Sequence, residues 1–159
     1  MAVVGVILAG GRSARMGVPK ALLDYRGAPF VVRILEVLEA LEVRPRVVVV
    51  GPAAAAIRDA VASRECTLVE NPDVDGGPIA SLRTALRALG PMRYTGVLVW
   101  PVDLPHVRLT TIERLLDAHR RAPPPVGAPA LCALRCPPRF WGAPLSGGRA
   151  PPAAGRVDA

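Results

Sequence analysis

The sequence predicts an α/β fold in three layers, a mostly parallel sheet with helices on both faces, and two observations carry that expectation. Four short, mostly β-branched apolar runs recur along the first 121 residues: VVGVILA (3–9), RVVVVG (46–51), TLVE (67–70) and GVLVWPV (96–102). Their continuity is that of strands buried on both faces. Between and after them lie longer segments whose apolar residues return every three or four positions, the period of a helix with one buried face. Strand and helix alternate four times, the pattern of parallel strands joined by helical crossovers. The expected architecture is Rossmann-like, with ligands bound beyond the carboxyl ends of the strands.

The first run has no basic region ahead of it and passes straight into a glycine loop, so it reads as a buried strand and not as a signal peptide. In PFVVRILEVLEALE (29–42), Val31, Ile34, Leu35, Leu38 and Leu41 make one face and Glu36, Glu39 and Glu42 lie mostly on the other. AAAAIRDAVASR (53–64), IASLRTALRALG (79–90) and TTIERLLDAHRR (110–121) behave likewise. His119 falls in the last turn of the fourth helix, where the helix dipole favours a cation. After Arg121 the pattern stops: nine of the 38 residues from Ala122 to Ala159 are proline, and Asp158 is their only carboxylate side chain. The expected organisation is a domain over 1–121 followed by a Pro/Gly/Ala/Arg-rich tail over 122–159, irregular or truncated. A short strand is expected near Val126–Leu134, and residues 137–159 read as loop.

A chain of 159 residues suits one domain. It is 51% apolar but has no uninterrupted apolar run near the roughly 18 residues of a membrane span. No membrane association and a cytoplasmic location are expected. The net charge is +7, carried by nineteen arginines and a single lysine, Lys20. These cations are scattered, with no block and no aromatic interleaving, which argues against nucleic acid and for phosphorylated small molecules. Cys66, Cys132 and Cys136 are odd in number and lack the second pair or histidine of a zinc site, so free thiols are expected.

The stretch LAGGRSARMGVPK (8–20) joins the first strand to that lysine. A glycine-rich turn leaving a buried strand presents backbone N–H groups that can cradle an anion. Arg12, Arg15 and Lys20 add charge suited to a triphosphate. The segment is neither GxGxxG nor GxxxxGK[ST], which argues against a dinucleotide oxidoreductase and a P-loop enzyme. A bare GG turn would read as an ordinary βα connection with solvated cations. Asp103 follows the fourth run, at the end of a strand that shares the crevice with the loop. Beside a triphosphate a carboxylate calls for an intervening cation, and Mg²⁺ shared with phosphate oxygens suits it; the alternative is a cap on the following helix. Asn71–Pro72 reads either as a plain turn or, with Gly77, Pro78 and Ser81 at a helix start, as part of the ligand site.

The loop LAGGRSARMGVPKALLDYRG (8–27) resembles the signature of nucleotidyltransferases, most closely the molybdenum cofactor guanylyltransferase family and its relatives. That family's pattern L-A-G-G-x-S-x-R-M-G-x-x-K is met at Leu8, Ala9, Gly10, Gly11, Ser13, Arg15, Met16, Gly17 and Lys20. ENPDVDGGPIASLRTAL (70–86) is similar to its segment beside base and ribose, and WPVDLPHV (100–107) to its metal motif. The resemblance covers about residues 3 to 121. It implies that Leu8, Ala9, Gly10, Gly11, Arg15, Lys20, Asn71, Gly77, Pro78, Ser81 and Asp103 bind nucleotide. It further implies that Arg15, Lys20 and Asp103 carry catalysis, that Asp103 holds Mg²⁺, that GTP is the donor and that molybdopterin is the acceptor. The protein is expected to act as a monomer. Cytidylyl transfer to the same cofactor and transfer to sugar phosphates share the loop. A nucleotide binder without turnover is the reading of another class, because family members run longer and carry further acidic residues on the acceptor side.

Overall fold

The computed structural model describes residues 2–11, 18–121, 126–127 and 139–142. Among them six strands form one sheet: β1 (Ala2–Ala9), β2 (Arg46–Val50), β3 (Thr67–Glu70), β4 (Tyr94–Pro101), β5 (Val126–Gly127) and β6 (Arg139–Gly142). Their order is β3-β2-β1-β4-β6-β5. The helices α1 (Phe30–Ala40), α2 (Ala54–Ala60), α3 (Gly77–Leu89) and α4 (Leu109–Arg121) follow β1 to β4 in turn. The strands β1 to β4 are mutually parallel, as the alternation predicts.

Alternation along each strand sends side chains to opposite faces, and two apolar clusters result. Ile7, Ala9, Val48, Val50, Leu98 and Trp100 look to one face, where Val31, Ile34, Leu35 and Leu38 of α1, Ile57 of α2 and Ile112 and Leu116 of α4 cover them. Val4, Val6, Val47, Val49, Val97 and Val99 look to the other, under Ala85 and Leu89 of α3. This is the three-layer arrangement. Each fully buried Val, Leu or Ile contributes about 1.5–3 kcal/mol, and a sheet buried on both faces explains why these runs read as continuous apolar stretches.

The tail departs from expectation at one place. Arg139–Gly142, expected as loop, pairs antiparallel with β4, setting Val99 opposite Arg139 and Gly96 opposite Gly142. Without it β4 would be an open edge, and the RFWG sequence carries two aromatic residues suited to strands. Val126–Gly127, inside the region expected as a short strand, pairs with β6. The rest of that expected strand, Cys132 and Cys136 lie outside the described residues; Cys66 is a free thiol, and burial raises its pKa.

His119 is also corrected. It is only 5% exposed, and burial pushes its pKa below the ordinary value, partly offset by a hydrogen bond with the Thr95 backbone. Burial thus disfavours the imidazolium that the helix end is expected to favour. Among the described residues no helix is long and apolar enough to cross a membrane.

Candidate active site

At the carboxyl edge of the sheet the chain leaving β1 leads to α1 and then to β2 on one side, while β4, the other neighbour of β1, leads to α4, which packs on the same face as α1. Ligands of open α/β sheets bind at this edge. Val102 N–H donates to the Leu8 carbonyl at 3.1 Å, so the ends of β1 and β4 stay joined at the floor. Leu8 and Ala9 belong to β1, Gly10 is buried just beyond it and Gly11 is exposed, with open space where a side chain would stand.

Sequence reasoning missed Gly51, which ends the second apolar run. A side-chain carbon there would stand 2.7 Å from the Gly10 carbonyl oxygen, inside contact distance. The close approach of the two chains requires glycine at 51, and its position at the end of RVVVVG is the signal that could have found it.

Lys20 begins a 3-10 turn, Lys20–Leu22, anchored by the buried Ala21. Its Nζ lies 4.0 Å from Oδ2 of Asp103, and the two side chains are 51% and 50% exposed. Two residues 83 positions apart are thus brought to one spot, as the sequence reading requires. In that half-solvated setting the ion pair itself contributes little to stability.

Asp103 is held from below by Trp100, another residue the sequence reading did not single out. Trp100 is fully buried and donates its indole N–H to the Leu104 carbonyl at 3.0 Å, while Leu104 N–H reaches the Pro101 carbonyl at 3.2 Å. A wide apolar anchor with one polar tip therefore fixes the short turn that carries the carboxylate.

Asn71 closes β3, where its N–H donates to the Val50 carbonyl at 2.9 Å. Its side chain is 4% exposed in residue terms and turned inward. Nδ2 donates to the Asp73 carbonyl at 2.8 Å and to Ser81 Oγ at 3.1 Å, and Oδ1 accepts the Asp73 N–H at 3.1 Å. Gly76 N–H donates to Asp73 Oδ1 at 2.8 Å. Gly77 takes a positive φ of 66° that glycine adopts without cost, and the exposed Pro78 starts α3 with its ring in place of an N–H. Ser81 is buried one turn further on. Arg12 and Arg15 lie outside the described residues. The edge thus gathers Gly10, Lys20, Asn71, Ser81 and Asp103, with backbone donors and one acid–base pair of opposite charge: a setting for an anion that brings its own cation.

The chain is similar in sequence and structure to known proteins. The family of the MobA-like NTP transferase domain matches residues 5–149. A probable molybdenum cofactor guanylyltransferase of Rhodopirellula baltica is 36% identical over 124 residues, 76% of this chain and 57% of that protein. The bifunctional protein GlmU of Burkholderia multivorans is 36% identical over 117 residues, 72% of this chain and 25% of its own length. The chain therefore spans just over half of the first and a quarter of the second. The crystal structure of Rv0371c from Mycobacterium tuberculosis superposes with a TM-score of 0.76 at 30% identity, covering 89% of this chain and 71% of that one. A complex of the same protein with manganese gives 0.70 at 28%. With residues 5–149 matched by the family, the chain belongs to the MobA-like NTP transferase domain family.

Proposed function

We propose that the chain is a nucleotidyltransferase that moves GMP from GTP to the phosphate of molybdopterin. An acceptor phosphate oxygen attacks the α-phosphorus, the bond from that phosphorus to the oxygen bridging the β-phosphate breaks, and pyrophosphate leaves. The observation that carries this reading is the 4.0 Å approach of Lys20 to Asp103, two residues beyond the end of β4. No covalent nucleophile is needed, so positioning and charge supply the rate.

Lys20 donates to β- or γ-phosphate oxygens and steadies the departing pyrophosphate, with Arg15 assigned the same task by its place in the loop. The backbone amides after β1 hold the phosphates. Asp103 would hold Mg²⁺: a half-exposed carboxylate just beyond a strand end suits a hard cation that also takes phosphate and water oxygens. When bound, Mg²⁺ neutralises charge that develops on the α-phosphate. The manganese complex of the mycobacterial relative supports a divalent cation here.

The guanylyl and molybdopterin assignments rest on the likeness to the probable molybdenum cofactor guanylyltransferase of Rhodopirellula baltica. A second reading, transfer to a sugar phosphate, is favoured by the GlmU likeness. Pyrophosphate release measured with GTP, CTP and UTP, each against molybdopterin and a sugar 1-phosphate, separates them. Turnover is expected with GTP and molybdopterin. Turnover with a sugar phosphate alone would install the second reading, and nucleotide binding without turnover on any acceptor would make the chain a binder.

A further inference from the structure

A side-chain amide offers two hydrogens and two acceptor positions. In Asn71 both Nδ2 hydrogens are spent, on the Asp73 carbonyl and on Ser81 Oγ, and Oδ1 receives Asp73 N–H while facing Thr84 Oγ1 at 3.2 Å. Buried as it is, the amide has nothing left with which to meet a base or a ribose. Its partners instead span three elements: the end of β2 through its own N–H to Val50, the 71–76 loop, and α3 through Ser81 and Thr84. Ser81 lies next to Gly10, where an added side-chain carbon would stand 3.3 Å from its Oγ.

We propose that Asn71 is a positioning residue: it holds Ser81, and with it the first turns of α3, against Gly10 at the end of β1, and it acts on the nucleotide through that clamp without touching it. The clamp itself follows from geometry; its effect on ligands rests on the nucleotidyltransferase reading. Base selection then falls to groups other than the Asn71 amide. Asn71→Asp keeps the shape and removes both donors, leaving a carboxylate oxygen against the Asp73 carbonyl. A residue that accepted hydrogen bonds from guanine would lose nothing by that change.

The test uses the full chain with Asn71→Asp, Ser81→Ala and the double substitution. Amide hydrogen exchange without nucleotide reads the clamp: exchange should quicken in residues 8–11 as well as in 71–81 for either single variant. Calorimetry with GTP and ITP, which differ by the N2 amine, reads its effect. Asn71→Asp should weaken both nucleotides by the same factor, roughly tenfold, and the double variant should bind no more weakly than the weaker single one, since both cut one contact. Exchange at 8–11 equal to the parent's would overturn the proposal, as would an altered GTP-to-ITP ratio in Asn71→Asp or unchanged affinity in a folded variant. If Asn71→Asp does not fold, Ser81→Ala decides by the same exchange criterion. A parent chain that binds no nucleoside triphosphate would sink the proposed function while the exchange arm still judged the clamp.

Discussion

The two ends of the sheet use the same kinds of charged side chain to opposite purposes. At the amino end Arg46 is 3% exposed, and its guanidinium is spent within the fold: Nε on the Glu65 carbonyl at 2.8 Å, one terminal nitrogen on Glu65 Oε2 at 3.0 Å, the other on the Val43 carbonyl at 3.4 Å. At the carboxyl end Lys20 and Asp103 meet at 4.0 Å with half of each side chain in solvent. Burial with each guanidinium nitrogen bonded makes a joint between the start of β2 and the start of β3. Loose pairing in water makes groups that a charged ligand can reorganise at small cost. The comparison teaches that partner geometry and burial, not charge, separate a cation spent within the fold from one left half in solvent.

The comparison breaks most visibly at Asp103. Asp103→Asn is expected to lower turnover by at least about a hundredfold, the scale of losing a metal ligand, while nucleotide binding without Mg²⁺ stays equal or tightens. Pyrophosphate release, with titrations in the presence and absence of Mg²⁺, checks it; the same Mg²⁺ dependence in variant and parent would remove the metal from Asp103.

Arg46→Ala should fail in the other way. It leaves two carbonyls without their donor and empties a buried stem, at a cost of about 2–3 kcal/mol in denaturant unfolding, with nucleotide affinity unchanged in the folded protein. Lys20→Ala should invert that result, weakening nucleoside triphosphate binding by about 1.5–3 kcal/mol, the scale of a charge-assisted hydrogen bond, with stability moved by less than about 0.5 kcal/mol. Calorimetry and unfolding on both variants sharpen or dissolve the contrast between the two ends.

The smallest effect is expected at His119, which meets the Thr95 backbone at the start of β4. Its native pKa lies below the ordinary 6.5, so between those two values the unfolded chain binds more protons than the native one. Stability is therefore insensitive to this group above about pH 6.5. It falls as pH drops through that value and levels off once the native imidazole is also protonated. Denaturant midpoints from pH 8 to pH 5 should show this part of the decline in the parent and not in His119→Gln.

Much of this molecule can be read without coordinates. The alternation of VVGVILA, RVVVVG, TLVE and GVLVWPV with helical periods fixed four strands and four helices, because buried parallel strands and one-sided helices leave unmistakable apolar periods. The same reading named Gly10, Lys20 and Asp103, whose residue types suit a phosphate and a cation at strand ends. What tertiary structure alone decided is contact between distant segments. RFWG reads as loop among prolines, and it is a strand because β4 offers it an open edge. Gly51 has no meaning until β2 carries it against the Gly10 carbonyl, nor Trp100 until its indole reaches Leu104. Asn71 reads as a ligand or a turn in sequence, and only the fold shows its amide bonded to Asp73 and Ser81; His119 has the place of a cation, and only the fold shows it buried. Periodicity and residue chemistry are local properties that the chain carries in one dimension. Burial and hydrogen-bond saturation depend on which partners the fold brings within about 3 Å, and no single stretch of sequence holds both halves of such a contact.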